Sequence, residues 1–277
     1  MPLNLMYITN NPSIAFIAEK NGVDRIMVDL EALGKEERQK NMNTVKSHHT
    51  VEDVAAIFAV LTKAELVVRI NPWNENSISE IETVILAGAG RIMLPMWKCA
   101  AEVEAFLKAV NGRVPTTLLL ETKEAVTCLD EVLENPLVDE IHIGLNDLHL
   151  SYGMTFMFEP LSNGMVEALC QKCRKKGIPY GFGGIAKIGK GILPAEKIVM
   201  EHYRLGSTRA ILSRSFCTAD KGCNMETIQT IFEQNMTHLR AYEQTLAYKS
   251  EVEFAKNAEE IKLCVDKIVK GIKEKQL

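Results

Sequence analysis

The sequence lacks an apolar run that could cross a membrane, since no run approaches the roughly 20 consecutive residues that a membrane-spanning helix needs. It also lacks an excess of positive charge, because 32 Lys and Arg stand against 36 Asp and Glu, for a net charge of −4. Nucleic acids and anionic membrane surfaces bind clustered basic residues. We therefore expect neither a nucleic acid nor a membrane as the partner.

A secretory segment with a basic start and an apolar core is absent from the first residues. The seven cysteines are odd in number and scattered, which indicates free thiols in a reducing compartment. Cys170 and Cys173 form a CxxC pair, but this pair lies inside a helical pattern and lacks a second Cys or His pair at zinc-site spacing. The sequence therefore predicts a cytoplasmic protein, and we expect no metal or redox role for the CxxC pair.

Eight short apolar segments alternate with amphipathic helical patterns along the chain. Their continuous apolar character is typical of strands that are buried on both faces of a parallel sheet. A chain of 277 residues is close to the roughly 250 that a single (β/α)₈ barrel takes. We therefore predict an α/β protein with a (β/α)₈ TIM barrel, whose strands lie at 3–9, 24–30, 65–71, 91–96, 116–121, 139–144, 179–184 and 208–213.

The helical periodicity after the eighth strand is longer than the one helix that closes such a barrel. We therefore divide the chain into a barrel domain at 1–248 and a C-terminal helical extension at 249–277. The surplus helix near 251–275 either packs over its own barrel or is exchanged onto a neighbouring subunit. Its apolar stripe is predicted to consist of Val252, Phe254, Ile261, Val265, Ile268 and Ile272.

Polar residues fall at the predicted carboxyl ends of several strands, which is where TIM barrels carry their active sites. Glycines at these ends let a ligand approach the backbone closely. In chain order the candidates are Asp29 and Glu31 after strand two, Arg69 in strand three, Glu121 at the end of strand five, Gly144 and Asp147 after strand six, and Gly183 and Gly184 at strand seven.

Glu121 and Asp147 are the candidate metal ligands. Charged groups at the ends of buried strands are costly unless they are paired or bind a metal. Two carboxylates from adjacent strands, without soft ligands nearby, suit Mg²⁺ or Mn²⁺. Each carboxylate could instead cap the helix or turn that follows it. Their occurrence together with Arg69 and Glu31 favours a metal site.

Arg69 is predicted to bind the substrate, because its planar guanidinium suits a carboxylate or an enolate oxygen. The alternative is an ion pair with Asp29 or Glu31 across neighbouring strand ends. The two interpretations are compatible, since one arginine can serve both purposes.

His48 and His49 are candidates for proton transfer, because they lie in the long loop after strand two. Their surroundings also match a helix start capped by Thr50. We expect His142, within a strand, to be a satisfied interior group. His149, two residues beyond Asp147, could approach the site.

Five blocks in these strands resemble the HpcH/HpaI aldolase and citrate lyase β-subunit family. Their order and spacing match that family across roughly residues 3 to 215, which is most of the chain. The blocks are "MVDLE" (27–31), "LVVRINP" (66–72), "AGAGRIMLPM" (87–96), "LLLETKEAV" (118–126) and "IGLNDLHLSYG" (143–153).

The resemblance implies a TIM barrel of the phosphoenolpyruvate/pyruvate type that makes or breaks a carbon–carbon bond with a divalent metal. It assigns the metal carboxylates to Glu121 and Asp147, the substrate-binding arginine to Arg69, and an acidic pair to Asp29 and Glu31. It also implies a homo-oligomer, a trimer or hexamer, in which the C-terminal helix is often exchanged between subunits.

Four positions depart from the family pattern. Ala32 stands where the aldolase branch carries a histidine and the citrate lyase branch an aspartate, so the usual general base is missing from its usual place. Met96 replaces the lysine of "LPK", Leu145 replaces the proline of "GPND", and "LSRS" replaces a "GxD" pattern after strand eight. The metal ligands are therefore kept while the proton-transfer groups are altered.

These residues predict a metal-dependent carbon–carbon lyase that acts through the enolate of a 2-oxo acid such as pyruvate or oxaloacetate, or of an acyl thioester such as an acyl-CoA. The short C-terminal region leaves little sequence for a coenzyme A site, which favours an aldolase for small aldehydes. A decarboxylase, a phosphoenolpyruvate-type mutase and a barrel that binds an acidic metabolite without turnover are the alternatives.

Overall fold

The computed structural model describes residues 1–34, 49–217 and 224–275. Its eight parallel strands close into a barrel in chain order, with β8 paired to β1. All eight predicted strands form, so the predicted TIM barrel is confirmed. The strands are β1 (Asn4–Ile8), β2 (Arg25–Asp29), β3 (Glu65–Arg69), β4 (Arg91–Leu94), β5 (Thr116–Leu120), β6 (Ile141–Ile143), β7 (Tyr180–Ile185) and β8 (Arg209–Leu212).

Helices surround the barrel, and local sequence explains where several of them begin. The side chain of Asn11 accepts hydrogen bonds from two amides of the first helix, and Thr50 forms the predicted cap of the second helix together with Asp53. The described helices are α1 (Pro12–Lys20), α2 (Val51–Phe58), α3 (Ser77–Leu86), α4 (Ala100–Val110), α5 (Lys123–Val132), α6 (Leu145–Ser151), α7 (Glu159–Ser162), α8 (Met165–Lys175), α9 (Ala195–Leu205), α10 (Met225–Leu246) and α11 (Glu251–Glu274).

Charged side chains fill the amino-terminal end of the barrel, and we call them the lower layer: Arg25, Glu65, Arg91, Glu140 and Arg209. Glu140 is buried and accepts two hydrogen bonds from Arg25, at 2.7 and 3.1 Å, and Arg209 also pairs with it. Glu65 pairs with Arg25 at 2.7 Å and with Arg91 at 2.9 Å. The contacts of Glu65 join neighbouring strands, whereas those of Glu140 cross the barrel interior and join strands that do not pair directly.

The middle layer of the barrel is apolar with one exception. Side chains alternate in direction along a strand, so the residues two positions above the lower layer also point inward. They form a separate buried cluster inside the barrel. The middle layer consists of Met6, Met27, Val67, Met93, Leu119 and Ile211, with His142 as its polar member.

The surplus helix α11 packs against α9 and α7 of the same chain. Ile261 and Val265 of the predicted stripe are buried, and Phe254, Ile268 and Ile272 are partly buried against the core. Val252 is wrongly placed in that stripe, since it is 78% exposed and lies on the outer face of the helix's first turn.

The CxxC pair is part of the hydrophobic core. Cys170 and Cys173 lie on the buried face of α8, and both are fully buried. Burial raises the pKa of the Cys170 thiol above its ordinary range and that of Cys173 to about 12, so both stay protonated at neutral pH. In the part of the chain that the structure describes, no helix is long and apolar enough to span a membrane.

Candidate active site

Arg69 lies at the carboxyl end of β3 and is held by two carboxylates. Its Nε donates to Asp29 Oδ1 at 2.8 Å and its Nη2 donates to Asp29 Oδ2 at 2.7 Å, while Nη1 lies 3.4 Å from Glu31 Oε2. Both carboxylates are buried. Burial alone would lower the pKa of Arg69, but Asp29 and Glu31 raise it above its ordinary value. The predicted ion pair therefore forms with both residues, and Arg69 also lines the cavity described below.

Glu121 follows β5 and is buried at the carboxyl end of the barrel. It does not cap the next helix, because Thr122 does so. The backbone N–H of Met96 donates to Glu121 Oε1 at 3.1 Å, and Met96 has a left-handed backbone with φ 54°. Burial, followed by the nearby charge of Asp147, raises the pKa of Glu121 well above its usual value, although Arg69 opposes this.

Asp147 is the third residue of α6, in the first turn of the helix that follows β6. Its charge acts on Glu121, and both residues line one cavity. The position fits the alternative of a first-turn carboxylate near a helix N-terminus, and it also brings the two predicted metal ligands together.

Gly144 and Gly183 make room for neighbouring side chains. A Cβ at Gly144 would lie 2.8 Å from Glu121 Oε2, so only glycine lets the Glu121 carboxylate lie against the end of β6. At Gly183 the φ angle is 53°, and a Cβ would lie 2.7 Å from Leu145 Cδ1. Both glycines and Gly184 line the cavity. All three were predicted to admit a ligand, and the closest contacts of Gly144 and Gly183 are with the protein itself.

Asn71 was noted from the sequence only as a polar residue at the end of strand three, with no role assigned to it, yet it shapes the loop after β2. Its Oδ1 accepts hydrogen bonds from the backbone N–H groups of Ala32 at 2.9 Å and Leu33 at 3.0 Å. Its own Nδ2 donates to Glu80 at 2.8 Å. The only sequence signal was a polar residue directly after a buried strand, in the block "RINP". Asn71 thus fixes the position of Ala32 without contributing an ionisable group.

The histidines have different surroundings. His49 accepts a hydrogen bond at Nδ1 from the backbone N–H of Asp29 at 3.0 Å, so the neutral ring carries its proton on Nε2. His48 lies outside the described residues. His149 is buried, and its Nδ1 lies 3.3 Å from the carbonyl oxygen of Leu145 and close to that of Asn146. His142 lines the cavity beneath the carboxylates.

The cavity that these residues share has a volume of about 160 Å³. Its polar lining comes from Arg69, Glu121, His142, Asn146 and Asp147, and the remaining side chains in its wall are apolar. A larger groove of about 850 Å³ lies on the outside of the barrel against α9, α10 and α11. We place the site in the smaller cavity, because the strand-end residues converge there.

The donor set fits a divalent cation that keeps much of its hydration. Burial, and then the charge of the partly buried Asp147, raises the pKa of Glu121, and a cation between the two carboxylates would remove that cost. Among the described residues, no group of three His, Cys, Asp or Glu is arranged to hold a metal. The chain would therefore supply two oxygen ligands, which suits Mg²⁺ or Mn²⁺ better than zinc.

Comparison with known proteins gives one family. The model of the HpcH/HpaI aldolase/citrate lyase family matches residues 4–180. No curated protein sequence matches the chain.

Solved structures at low sequence identity share the fold. A crystal structure of an HpcH/HpaI aldolase from Desulfitobacterium hafniense DCB-2 covers 86% of this chain and 93% of its own, with 15% identity and a TM-score of 0.59. An HpcH/HpaI aldolase/citrate lyase family protein from Burkholderia cenocepacia J2315 covers 89% and 94%, with 16% identity and a TM-score of 0.59. A citrate lyase from Burkholderia xenovorans LB400 covers 84% and 77%, with 15% identity and a TM-score of 0.57.

Proposed function

Because the chain belongs to the HpcH/HpaI aldolase/citrate lyase family, we propose that it is a divalent-metal-dependent carbon–carbon lyase that acts on a short 2-oxo acid. Family membership supports a lyase-type function. The observation that carries the more specific proposal is the convergence of Glu121, Asp147 and Arg69 on one small cavity at the carboxyl end of the barrel.

Charge makes a cation necessary for an anionic substrate. Among the described residues, Arg69 is the one cationic side chain that lines the cavity, and four carboxylates act on it: Asp29, Glu31, Glu121 and Asp147. Glu121 and Asp147 would hold Mg²⁺ or Mn²⁺, which when bound polarises a carbonyl oxygen and stabilises the negative charge of an enolate. Without a cation, this cavity would repel the carboxylate of a 2-oxo acid.

Arg69 is held in place for the substrate's oxygens. The two hydrogen bonds to Asp29 fix the plane of the guanidinium, and the contact with Glu31 fixes its outer edge. A guanidinium that is already oriented stabilises charge in the transition state without reorganising. Removal of Asp29 would therefore misplace Arg69 as well as change the local charge.

The size of the cavity favours a small substrate. About 160 Å³ accommodates a 2-oxo acid of a few carbons, and the apolar middle layer beneath it shields the reacting carbons from water. We therefore favour an aldolase for small aldehydes over a reaction at a bulky acyl thioester.

Proton transfer requires a group other than residue 32, because that residue is alanine. His49 also fits poorly as a base in this arrangement, since its Nδ1 lone pair already accepts the Asp29 N–H. His48 stays a candidate from the sequence, outside the described residues.

Exchange of the methyl protons of pyruvate in D₂O, followed by NMR, tests for enolate formation. We expect exchange that requires Mn²⁺ or Mg²⁺ and that falls by about 100-fold or more in Glu121→Gln and Asp147→Asn, since each variant removes a charge that the enolate site depends on. Glu104→Gln, on the exposed face of α4, is the matched control and should leave exchange unchanged.

Binding of Mn²⁺ and pyruvate without any exchange would contradict the lyase and favour a barrel that binds an acidic metabolite. This second function is considered because Ala32 stands where the family carries its usual general base. Calorimetry of the wild-type protein with both ligands separates the two results.

A further inference from the structure

His142 is the polar member of an otherwise apolar middle layer. It lies on β6 and is almost completely buried. Its Nε2 is 3.2 Å from the carbonyl oxygen of Gly183 on β7. A carbonyl oxygen only accepts, so Nε2 must carry the ring proton and Nδ1 must bear a free lone pair.

The surroundings of His142 keep the ring neutral. Burial lowers the pKa of His142 to about 4, against the opposing effect of Glu140 below it. Arg25 and Arg209 of the lower layer also disfavour the imidazolium. At neutral pH the ring therefore presents one donor, which is used, and one acceptor.

The acceptor has no hydrogen-bond partner within the described ranges of the chain. Its neighbours in the middle layer, such as Met93, Leu119 and Ile211, carry no donor. A buried polar atom without a partner is unfavourable, and such atoms in native proteins call for a specific explanation. His142 lines the same cavity as Glu121 and Asp147, so a molecule bound there can supply the donor.

We infer that His142 determines substrate specificity: its Nδ1 accepts a hydrogen bond from a hydroxyl group on the carbon chain of the bound 2-oxo acid. The inference rests on the proposed function, since it concerns the substrate of the same site. The hydroxyl is the one that the aldol adduct of the proposed reaction carries, so the inference adds the residue that recognises it. A site built to bond a hydroxyl discriminates strongly against an analogue that lacks it, because the buried acceptor is then left unpaired.

Isosteric pairs of acids test this inference in the wild-type protein. 3-Hydroxypyruvate and 2-oxobutanoate differ by a hydroxyl in place of a methyl group, as do 4-hydroxy-2-oxobutanoate and 2-oxopentanoate one carbon further along. We expect calorimetric titration with Mn²⁺ present to show tighter binding of the hydroxylated acid in at least one pair, by about 10-fold to 100-fold.

Two substitutions test the two ring nitrogens of His142 separately. His142→Gln places an amide near the position of Nε2, so it can keep the hydrogen bond to Gly183 while the Nδ1 acceptor is lost. His142→Asn places an amide near the position of Nδ1, so it can keep an acceptor while the bond to Gly183 is lost. We expect the Gln variant to bind both acids of the preferred pair equally, and the Asn variant to keep part of the preference.

The outcomes separate this inference from the proposed function. Binding of 2-oxo acids with no preference in either pair would overturn the role of His142 and leave the lyase proposal standing. An unchanged preference in a folded His142→Gln variant would do the same. If none of the four acids binds in the presence of Mn²⁺, the proposed function fails and the inference fails with it.

Discussion

At residue 144 the absence of a side chain determines where the Glu121 carboxylate can lie. A Cβ at this position would come within 2.8 Å of Glu121 Oε2 and 3.0 Å of Glu121 Cβ. Glu121 cannot simply swing away, because it is buried and its other oxygen accepts the N–H of Met96. The glycine and the carboxylate therefore form one structural unit, and substitution of either should change the cation site.

Gly144→Ala should lower the affinity for Mn²⁺ by about 10-fold to 100-fold, because groups that orient a metal ligand typically have effects of that size. Electron paramagnetic resonance of free Mn²⁺ during a titration measures this affinity. Gly271→Ala is the control: a Cβ there meets no atom within 4 Å. It should keep wild-type affinity and gain about 0.5–1 kcal/mol in helix stability. Equal Mn²⁺ affinity in both variants would show that Glu121 does not depend on Gly144.

At the scale of secondary structure, α11 is held by a buried polar contact as well as by its apolar stripe. Asn257 Nδ2 lies 3.0 Å from the carbonyl oxygen of Lys197 and 3.0 Å from Glu201 Oε1, both on α9. Glu201 is buried and also accepts from Arg204. The contact fixes the register of α11 on α9, which a purely apolar stripe would leave less defined.

Asn257→Ala should lower the free energy of unfolding by about 1–3 kcal/mol, because it leaves the Lys197 carbonyl and a buried carboxylate oxygen without that donor. Urea denaturation followed by circular dichroism measures the loss. Lys256→Ala on the exposed side of the same helix is the control, since its contact with Glu260 is 3.9 Å long, and we expect a change below about 0.5 kcal/mol. Equal losses would contradict a role for the buried contact.

At the scale of the whole molecule, the position of α11 bears on assembly. The helix packs on its own barrel in the structure, while the family resemblance suggests exchange between subunits in a trimer or hexamer. Deletion of residues 251–277 should lower the number of subunits per particle measured by sedimentation if the helix joins subunits. An unchanged number of subunits would show that the helix packs only on its own barrel, and in that case the deletion should reduce thermal stability alone.

Local sequence predicts the barrel well, because each buried parallel strand is a short apolar run and each end is marked by a turn. It also predicts that Glu121 and Asp147 lie together at the carboxyl end of the barrel, since a carboxylate at a strand end can be recognised within one segment. Contacts between distant segments cannot be read in this way. The bond of Asn71 to the amide of Ala32 joins two different loops, and the satisfied interior role predicted for His142 misses its second nitrogen.

In the lower layer, Glu140 forms ion pairs with arginines from three different strands. Arg25 on β2, Arg91 on β4 and Arg209 on β8 all pair with it, so one carboxylate directly before β6 links alternate strands around the closed sheet. Burial alone would raise the pKa of Glu140, but the three arginines, Arg25 above all, lower it. A lowered pKa in the folded state means that this carboxylate stabilises the fold above its ordinary pKa, and that the stabilisation is lost as the pH falls through the folded value.

Glu140→Gln should therefore lower the free energy of unfolding by about 3–5 kcal/mol at pH 7, because it leaves buried arginines without their shared counter-charge. The difference between wild type and variant should begin to shrink as the pH falls below the ordinary pKa of a glutamate, about 4.3, because the unfolded chain then binds the proton while the folded carboxylate stays ionised. Urea denaturation at pH 7 and at pH 3.5 measures both values. A difference that stays constant between these pH values would mean that the charge of Glu140 does not stabilise the barrel, and that the carboxylate acts there only through its shape.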